Sequence, residues 1–532
     1  MRINNIIKVG LISVLLTILA APVLADKDHD GSRHRAHDGE KERHHSEFKE
    51  RKHGKSHRRG HRHDEDNNRH ASNDIDENHG EPDNMPNMFE SENAHGIDAT
   101  YSTTGSIDLN NPFFKSLGDN DRSCETCHAP EEGWTITPEG VQQRFEETDG
   151  LHPLFRLVDG ANSPIENVAT VDDRRNAYSM LLNKANIRVG LGIPDDAEFE
   201  LVAADDPYGF ASETELSLYR RPLPTTNLKF LNAVMWEGRE TTNDESSSDC
   251  IFGTSTCFAP VAIDLETQAN NATLGHAEAL RELTAEELQA IVEFETSLFT
   301  AQIYDYNAGD LRENEAKAGP EALEEVPYYF GINDTVDGDY HTRESFNPVA
   351  MTLYDAWKRH NPDYAQDDSG DAQKNARAAI LRGQDLFNSA QIMISGVSGL
   401  NDELGVEEIA GSCTTCHNIP NAGNHSVPLP VDIGISDASR RTPDMPLYTL
   451  RNTTTGETVE TTDPGRALIT GKWKDIARFK GPVLRSVSSR PPYFHDGSAS
   501  DLNEVVDFYD ERFSIGLTDQ EKADLVAFLA TL

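Results

Sequence analysis

A chain of 532 residues with 91 acidic against 48 basic side chains carries a formal charge of -43 and is 36% hydrophobic. That length can bury two or three cores of its own, so its six cysteines are not the staples of a tiny fold. The acidic excess excludes nucleic acid as a natural partner and favours basic ones.

In chain order, residues 1–25 read as a removable signal peptide. Arg2 and Lys8 flank the start of an apolar run, Val9 to Ala20, and Val23-Leu24-Ala25 supplies a small-residue cleavage site before Asp26. The run is shorter than a membrane span and is followed by Pro22, so no membrane anchor is expected after cleavage; an uncleaved anchor is the competing reading. Residues 26–95 mix His, Lys, Arg, Asp and Glu with almost no large apolar side chains. Such a stretch cannot offset its ordering entropy and is expected to be a disordered tail. His44-His45 and His61-Arg62-His63 make loose metal binding an alternative to a plain solvated tether.

The chemistry-bearing stretches are Cys124-Glu125-Thr126-Cys127-His128 and Cys413-Thr414-Thr415-Cys416-His417. In each, two thiols can add to the vinyl groups of a haem while the adjoining imidazole reaches the iron. Two covalently bound haem c groups are expected, with His128 and His417 as iron ligands. Zinc knuckles and redox dithiols use the same Cys pair. Neither explains a His directly after both pairs. Cys250 and Cys257 lie in a Ser/Thr/Gly-rich loop and are expected to form a disulfide in an oxidising compartment, two free thiols being the alternative.

Ordered structure is expected from about Ser106 to Phe114 onward. A helix follows the capping box Thr284-x-x-Glu287, a second is expected over about Ala376 to Phe387, and a last one follows Thr518-x-x-Glu521. The stretches Leu283 to Leu298 and Leu517 to Leu532 align without a gap. This is an internal duplication. The expected fold is therefore mostly α: two tandem cytochrome c-like haem domains, 96–303 and 371–532, with long loops and an insertion or linker at 304–370.

Five motifs in fixed order carry a resemblance. The two Cys-x-x-Cys-His stretches, Trp236-Glu237-Gly238-Arg239, Leu265-Glu266-Thr267-Gln268 and Pro492-Tyr493-Phe494-His495-Asp496-Gly497 resemble the bacterial di-haem cytochrome c peroxidase and MauG superfamily. The likeness runs from about Gly105 to Leu532, apart from insertions near 241–260 and 304–370. It implies unequal haems. In peroxide-scavenging members a Met fourteen residues after the motif His ligates the C-terminal iron; counting from His495 reaches Tyr509 instead. This is similar to the MauG branch, so Tyr509 is the expected distal ligand, a hard oxygen donor that lowers the reduction potential. A plain helix-face tyrosine, with Met445 or His495 as ligand, is the alternative.

The same resemblance implies an open face on the iron of His128, since no His stands between His152 and His276 to block it. Glu278, ten residues after Gln268, is the implied proton carrier in O–O cleavage, with His276 able to share or take the role. The family's Pro between these positions is replaced by Ala272. Trp236 is the implied relay between the haems, and Arg485, ending Pro482-Val483-Leu484-Arg485, an implied haem contact. A calcium ion between the domains is a further implication, against which stand Arg221 and Arg490 where its ligands would fall.

The function implied is that of an exported, periplasmic di-haem oxidoreductase that reacts with hydrogen peroxide at the N-terminal haem. Its partner would be a small cytochrome or copper protein, or a protein or organic substrate. Peroxide scavenging alone, oxygen chemistry like that of the rubber oxygenases, a non-catalytic electron carrier and metal storage by the tail are the rivals.

Overall fold

Helix starts follow the capping chemistry. Thr284 and Thr518 each close a reciprocal capping box with the Glu three residues on, so Ala285–Thr296 and Asp519–Leu529 begin with their first free N–H groups satisfied. Asp371 accepts from the backbone N–H groups of Gln373 and Lys374 and starts Ala372–Ser389, the longest helix among the described residues. In this computed structural model the described residues are 83–251, 256–366 and 370–532. The signal peptide and the His-rich runs of the tail lie outside them.

Ala372–Ser389 and Asp519–Leu529 pack so closely that a Cβ at Gly383 would stand 1.9 Å from the backbone oxygen of Asp524. Ile380, Leu381 and Phe387 of the first helix meet Leu525 and Phe528 of the second. The same core takes in Leu311, Met351, Leu353, Tyr354 and Trp357. The segment 304–370, expected as an insertion or linker, thus supplies core side chains. Ordered chain also begins before Ser106, with strands Asn84–Pro86, Phe89–Glu92 and Gly96–Ser102.

The fold is not mostly α. Among the described residues, fifteen short strands accompany eleven α-helices, in several small sheets. The long connections between motifs satisfy their backbone groups by pairing with one another. Leu298–Asp305 lies between Gly96–Ser102 and Gly309–Asp310, and Phe199–Asp205 pairs with Leu447–Asn452. Alternation did not reveal these strands because several are buried on both faces: seven of the eight residues of Leu298–Asp305 and all five of Leu216–Arg220 are buried.

Pairing of Phe199–Asp205 with Leu447–Asn452 stitches the first half of the sequence to the second. The Leu532 carbonyl accepts from the backbone N–H of Ser486 at 2.9 Å and of Gln302 at 3.3 Å. Arg220 Nε donates to Asp463 Oδ2 at 2.7 Å, both groups fully buried, and its Nη1 forms an undirected ion pair with Glu237 at 2.8 Å. Glu77–Leu532 forms one compact unit. Cys250 and Cys257 are disulfide-bonded, joining strands Asp249–Ile251 and Thr256–Phe258. Among the described residues no helix is long and apolar enough to cross a membrane.

Candidate functional site: two Cys-x-x-Cys-His turns and a cavity

Each motif folds as a single 3-10 turn, Cys124–Thr126 and Cys413–Thr415, closed by a reciprocal Ser/Thr box, Ser123 with Thr126 and Ser412 with Thr415. The histidine leaves each turn in the same way, its backbone N–H donating to the first Cys carbonyl at 3.1 Å. His128 Nδ1 lies 3.2 Å from the Trp134 carbonyl and His417 Nδ1 2.9 Å from that of Gly423. A carbonyl can only accept, so Nδ1 carries the proton and Nε2 keeps its lone pair for a metal. Burial pushes His128 down to about 4 and lowers His417 as well, which keeps both imidazoles in the neutral, ligating form.

Burial raises all four thiols, Cys127 and Cys416 to about 11 and Cys413 to about 12. A zinc knuckle needs thiolates and further ligands. Among the described residues no group of three or more His, Cys, Asp or Glu converges to hold a bare metal ion.

Cys124, Cys127 and His128 open into a cavity whose lining includes Leu228, Leu265, Trp236, Gln268, His276 and Arg485. Among its cations, Arg122 and Arg220 are paired with carboxylates, whereas the buried Arg221, Lys480 and Arg485 and the half-buried Arg490 are not. Burial pushes Lys480 to about 8, Arg221 to about 9, and Arg485 and Arg490 to about 10. The guanidinium groups donate to carbonyls: Arg221 to Lys184 and Pro491, both at 3.1 Å, Arg485 to Asn421 at 2.9 Å and Arg490 to Val483 at 3.0 Å. Carbonyls satisfy their hydrogens without neutralising their charge. Buried cations of this kind call for anions, and the two propionates of a haem supply them. The residues present fit the group.

Opposite elements bring in a second imidazole. Val261–Gly275 carries Leu265 and Gln268 and, with Ala272 in place of proline, continues unbroken until His276, whose N–H reaches the Ala272 carbonyl at 2.8 Å. His276 Nδ1 is 2.5 Å from Asp159 Oδ2. Arg122 Nη1 in turn donates to that oxygen at 2.7 Å and Arg122 Nη2 to the Leu154 carbonyl at 2.7 Å. Burial opposes the charge on Asp159, but Arg122 and His276 hold it below the usual carboxylate range. The imidazole is thereby fixed on the cavity wall with Nε2 as its free nitrogen.

Glu278 is placed differently. It follows the helix at φ 53°, is exposed, accepts from Asn120 Nδ2 at 2.9 Å and is not part of the cavity lining. Of the two candidates the structure brings His276, not Glu278, to the cavity. Asp159 and Arg122 had no sequence signal, since neither belongs to a motif and both are remote from His276 in the chain.

Trp236 forms part of the cavity wall, its Nε1 donating to the Arg221 carbonyl at 2.8 Å. Its ring also packs on the cluster of Ile435, Phe479 and Phe508, against which Tyr509 packs as well. Tyr509 lies on the helix Leu502–Phe513; burial raises its hydroxyl, and the neighbouring Cys416 and Cys413 thiols add to this. Met445 packs on Met180 and Tyr219, and His495 stacks on Phe479 at 4.3 Å. Where a calcium ion was in question, the Arg221 guanidinium lies on the backbone carbonyls of Lys184 and Pro491.

Neutral imidazoles in two Cys-x-x-Cys-His sites, one on a cavity and one beside aromatic rings, fit the di-haem cytochrome c peroxidase and MauG superfamily, and the sequence comparisons find cytochrome-c peroxidases. Over 136 residues, 23% of this chain and 36% of the relative, it is 34% identical to a cytochrome-c peroxidase of Denitromonas iodatirespirans. It is 27% identical to a cytochrome-c peroxidase of Pseudomonas sp. (strain SCT) over 229 residues, 40% of this chain and 55% of the relative. The chain thus spans 36% of the length of the first of these relatives. A solved MauG-like protein associated with microbial copper homeostasis is 16% identical, covering 79% of this chain and 86% of that one, with a TM-score of 0.34. No family model matches the chain.

Proposed function

We propose that this chain is an exported, periplasmic di-haem c-type oxidoreductase that reacts with hydrogen peroxide in the cavity of His128. A haem bound by Cys124, Cys127 and His128 would supply an iron that accepts peroxide and its oxidising equivalents. The observation that carries the reading is the convergence of His128 and His276 on one cavity whose wall, Trp236, packs on the same aromatic cluster as Tyr509.

The protein's own groups divide the work. Cys124, Cys127 and His128 Nε2 would hold the haem, and Arg221, Lys480, Arg485 and Arg490 would pair with its propionates. His276, oriented by Asp159, carries a proton between the two peroxide oxygens through Nε2, while its Nδ1–H stays on the carboxylate. Gln268, on the helix Val261–Gly275, would hydrogen-bond a peroxide molecule entering the cavity. Trp236 shortens the path for charge between the cavity and the second site, where His417 and Tyr509 would hold the haem. The electrons come from a small redox protein or from an organic or protein substrate, and the acidic body favours a basic partner.

Optical and EPR spectra of the ferric protein before and after one equivalent of hydrogen peroxide test this. A mixture of high-spin and low-spin haem, changing at once with peroxide, is the expected result. Two low-spin haems inert to peroxide would make the protein an electron carrier. High-spin signal appearing only after partial reduction would make it a scavenging peroxidase of the reductively activated kind.

A further inference from the structure

Glu295 is the penultimate residue of the helix Ala285–Thr296, is 3% exposed and lines the same cavity as Cys124 and His128. Its Oε2 is buried with no hydrogen-bond partner. A carboxylate in the last turn of a helix opposes the helix dipole, and removing it from water unpaired is costly. The helix itself does not require an acid there. In the duplicated helix Asp519–Leu529, Thr518, Glu521 and Phe528 stand where this one has Thr284, Glu287 and Phe294, but Leu529 stands in place of Glu295 and packs in the core.

We propose that Glu295 takes up and returns one proton as the haem held by Cys124, Cys127 and His128 gains and loses one electron. The proposal rests on the haem reading above. Burial raises the Glu295 carboxyl to about 8, so above that pH the carboxylate is free to take up a proton. An electron delivered by the redox partner adds negative charge to the cavity, and the carboxylate binds one proton from solvent in response. When the electron leaves, the proton leaves with it. Electron and proton balance, and no net charge accumulates in a low-dielectric site.

From the elements around it, the ionisable or charged groups are Cys124, Lys115, Lys229, Asp264, Glu266 and His276. Cys124 is the group whose ionisation Glu295 opposes, and it is consumed by thioether formation. Lys115 and His276 belong to the same cavity wall. Lys229 Nζ is engaged by the Glu324 carbonyl at 2.5 Å, Asp264 by the Thr242 N–H at 3.0 Å, and Glu266 is exposed. The sign follows: reduction binds a proton, so the potential falls as pH rises.

The test is spectroelectrochemical titration of the full di-haem protein and of E295Q and E295L, at a series of pH values on either side of 8, with mass spectrometry confirming haem on Cys124 and Cys127. In the unsubstituted protein one of the two redox transitions should shift downward as pH rises, and in both variants that transition alone should become flat. E295L, which copies the residue of the duplicated helix, guards against misfolding of E295Q. Redox-difference infrared spectra should show a protonated-carboxyl band that both variants lack. A normal haem complement with an unchanged pH slope in E295Q overturns the proposal and leaves the haem reading standing. Absence of haem from the first motif overturns both.

Discussion

The turns Cys124–Thr126 and Cys413–Thr415 share their capping box, their backbone hydrogen bonds and the carbonyl that orients each histidine. Their surroundings diverge. The first opens on a cavity with an imidazole, an unpartnered carboxyl and a wall of cations; the second stands beside the Tyr509 ring and the tightly packed helices Ala372–Ser389 and Asp519–Leu529. Identical local chemistry has been given two environments. The helices Ala285–Thr296 and Asp519–Leu529 make the same point in one position, Glu295 against Leu529.

The comparison can be broken most severely at the attachment sites. Cys413→Ala with Cys416→Ala should abolish covalent haem at the second site, and Cys124→Ala with Cys127→Ala at the first, each leaving the other loaded when read by mass spectrometry of haem peptides. Asp463→Asn, which leaves the buried Arg220 with Glu237 alone, should cost about 3–5 kcal/mol of stability in chemical denaturation. A loss within experimental error would mean that the pair does not join the two halves.

Finer substitutions separate the two environments. His276→Gln should slow the peroxide step by about 10²-fold or more in stopped-flow measurements, with ferric spectra intact. Tyr509→Phe should alter only the low-spin spectrum and raise the potential of the second haem; an unchanged spectrum would remove Tyr509 as a ligand. Glu278→Gln should have the smallest effect, within about twofold on the same peroxide step. A large effect there would return the proton-carrying role to Glu278.

Much of this was legible in the residues. The Cys-x-x-Cys-His turns, the capping boxes at Thr284 and Thr518 and the pairing of Cys250 with Cys257 all depend on short-range chemistry, and the sequence carries that directly. Long-range pairing was not legible, because Leu216–Arg220 and Leu298–Asp305 are buried on both faces and lack alternation. The choice between Glu278 and His276 depended on where Val261–Gly275 ends. Ala272 permits one more turn than proline would, and that turn delivers His276 to the cavity. Asp159 and Arg122 come from another part of the chain, and no local pattern announces them. Glu295 was visible in principle as an acid where the aligned duplicate has leucine.

Gly383 has a consequence of its own. Phe387, one turn further along the same helix, has its ring centre 6.0 Å from that of His417. With no side chain at 383 the helix rests directly on the main chain of Asp524, which sets how far Phe387 protrudes toward the imidazole. The glycine therefore works as a spacer of zero thickness. A single methyl there would lift the helix off the Asp524 main chain and move the Phe387 ring relative to the His417 imidazole.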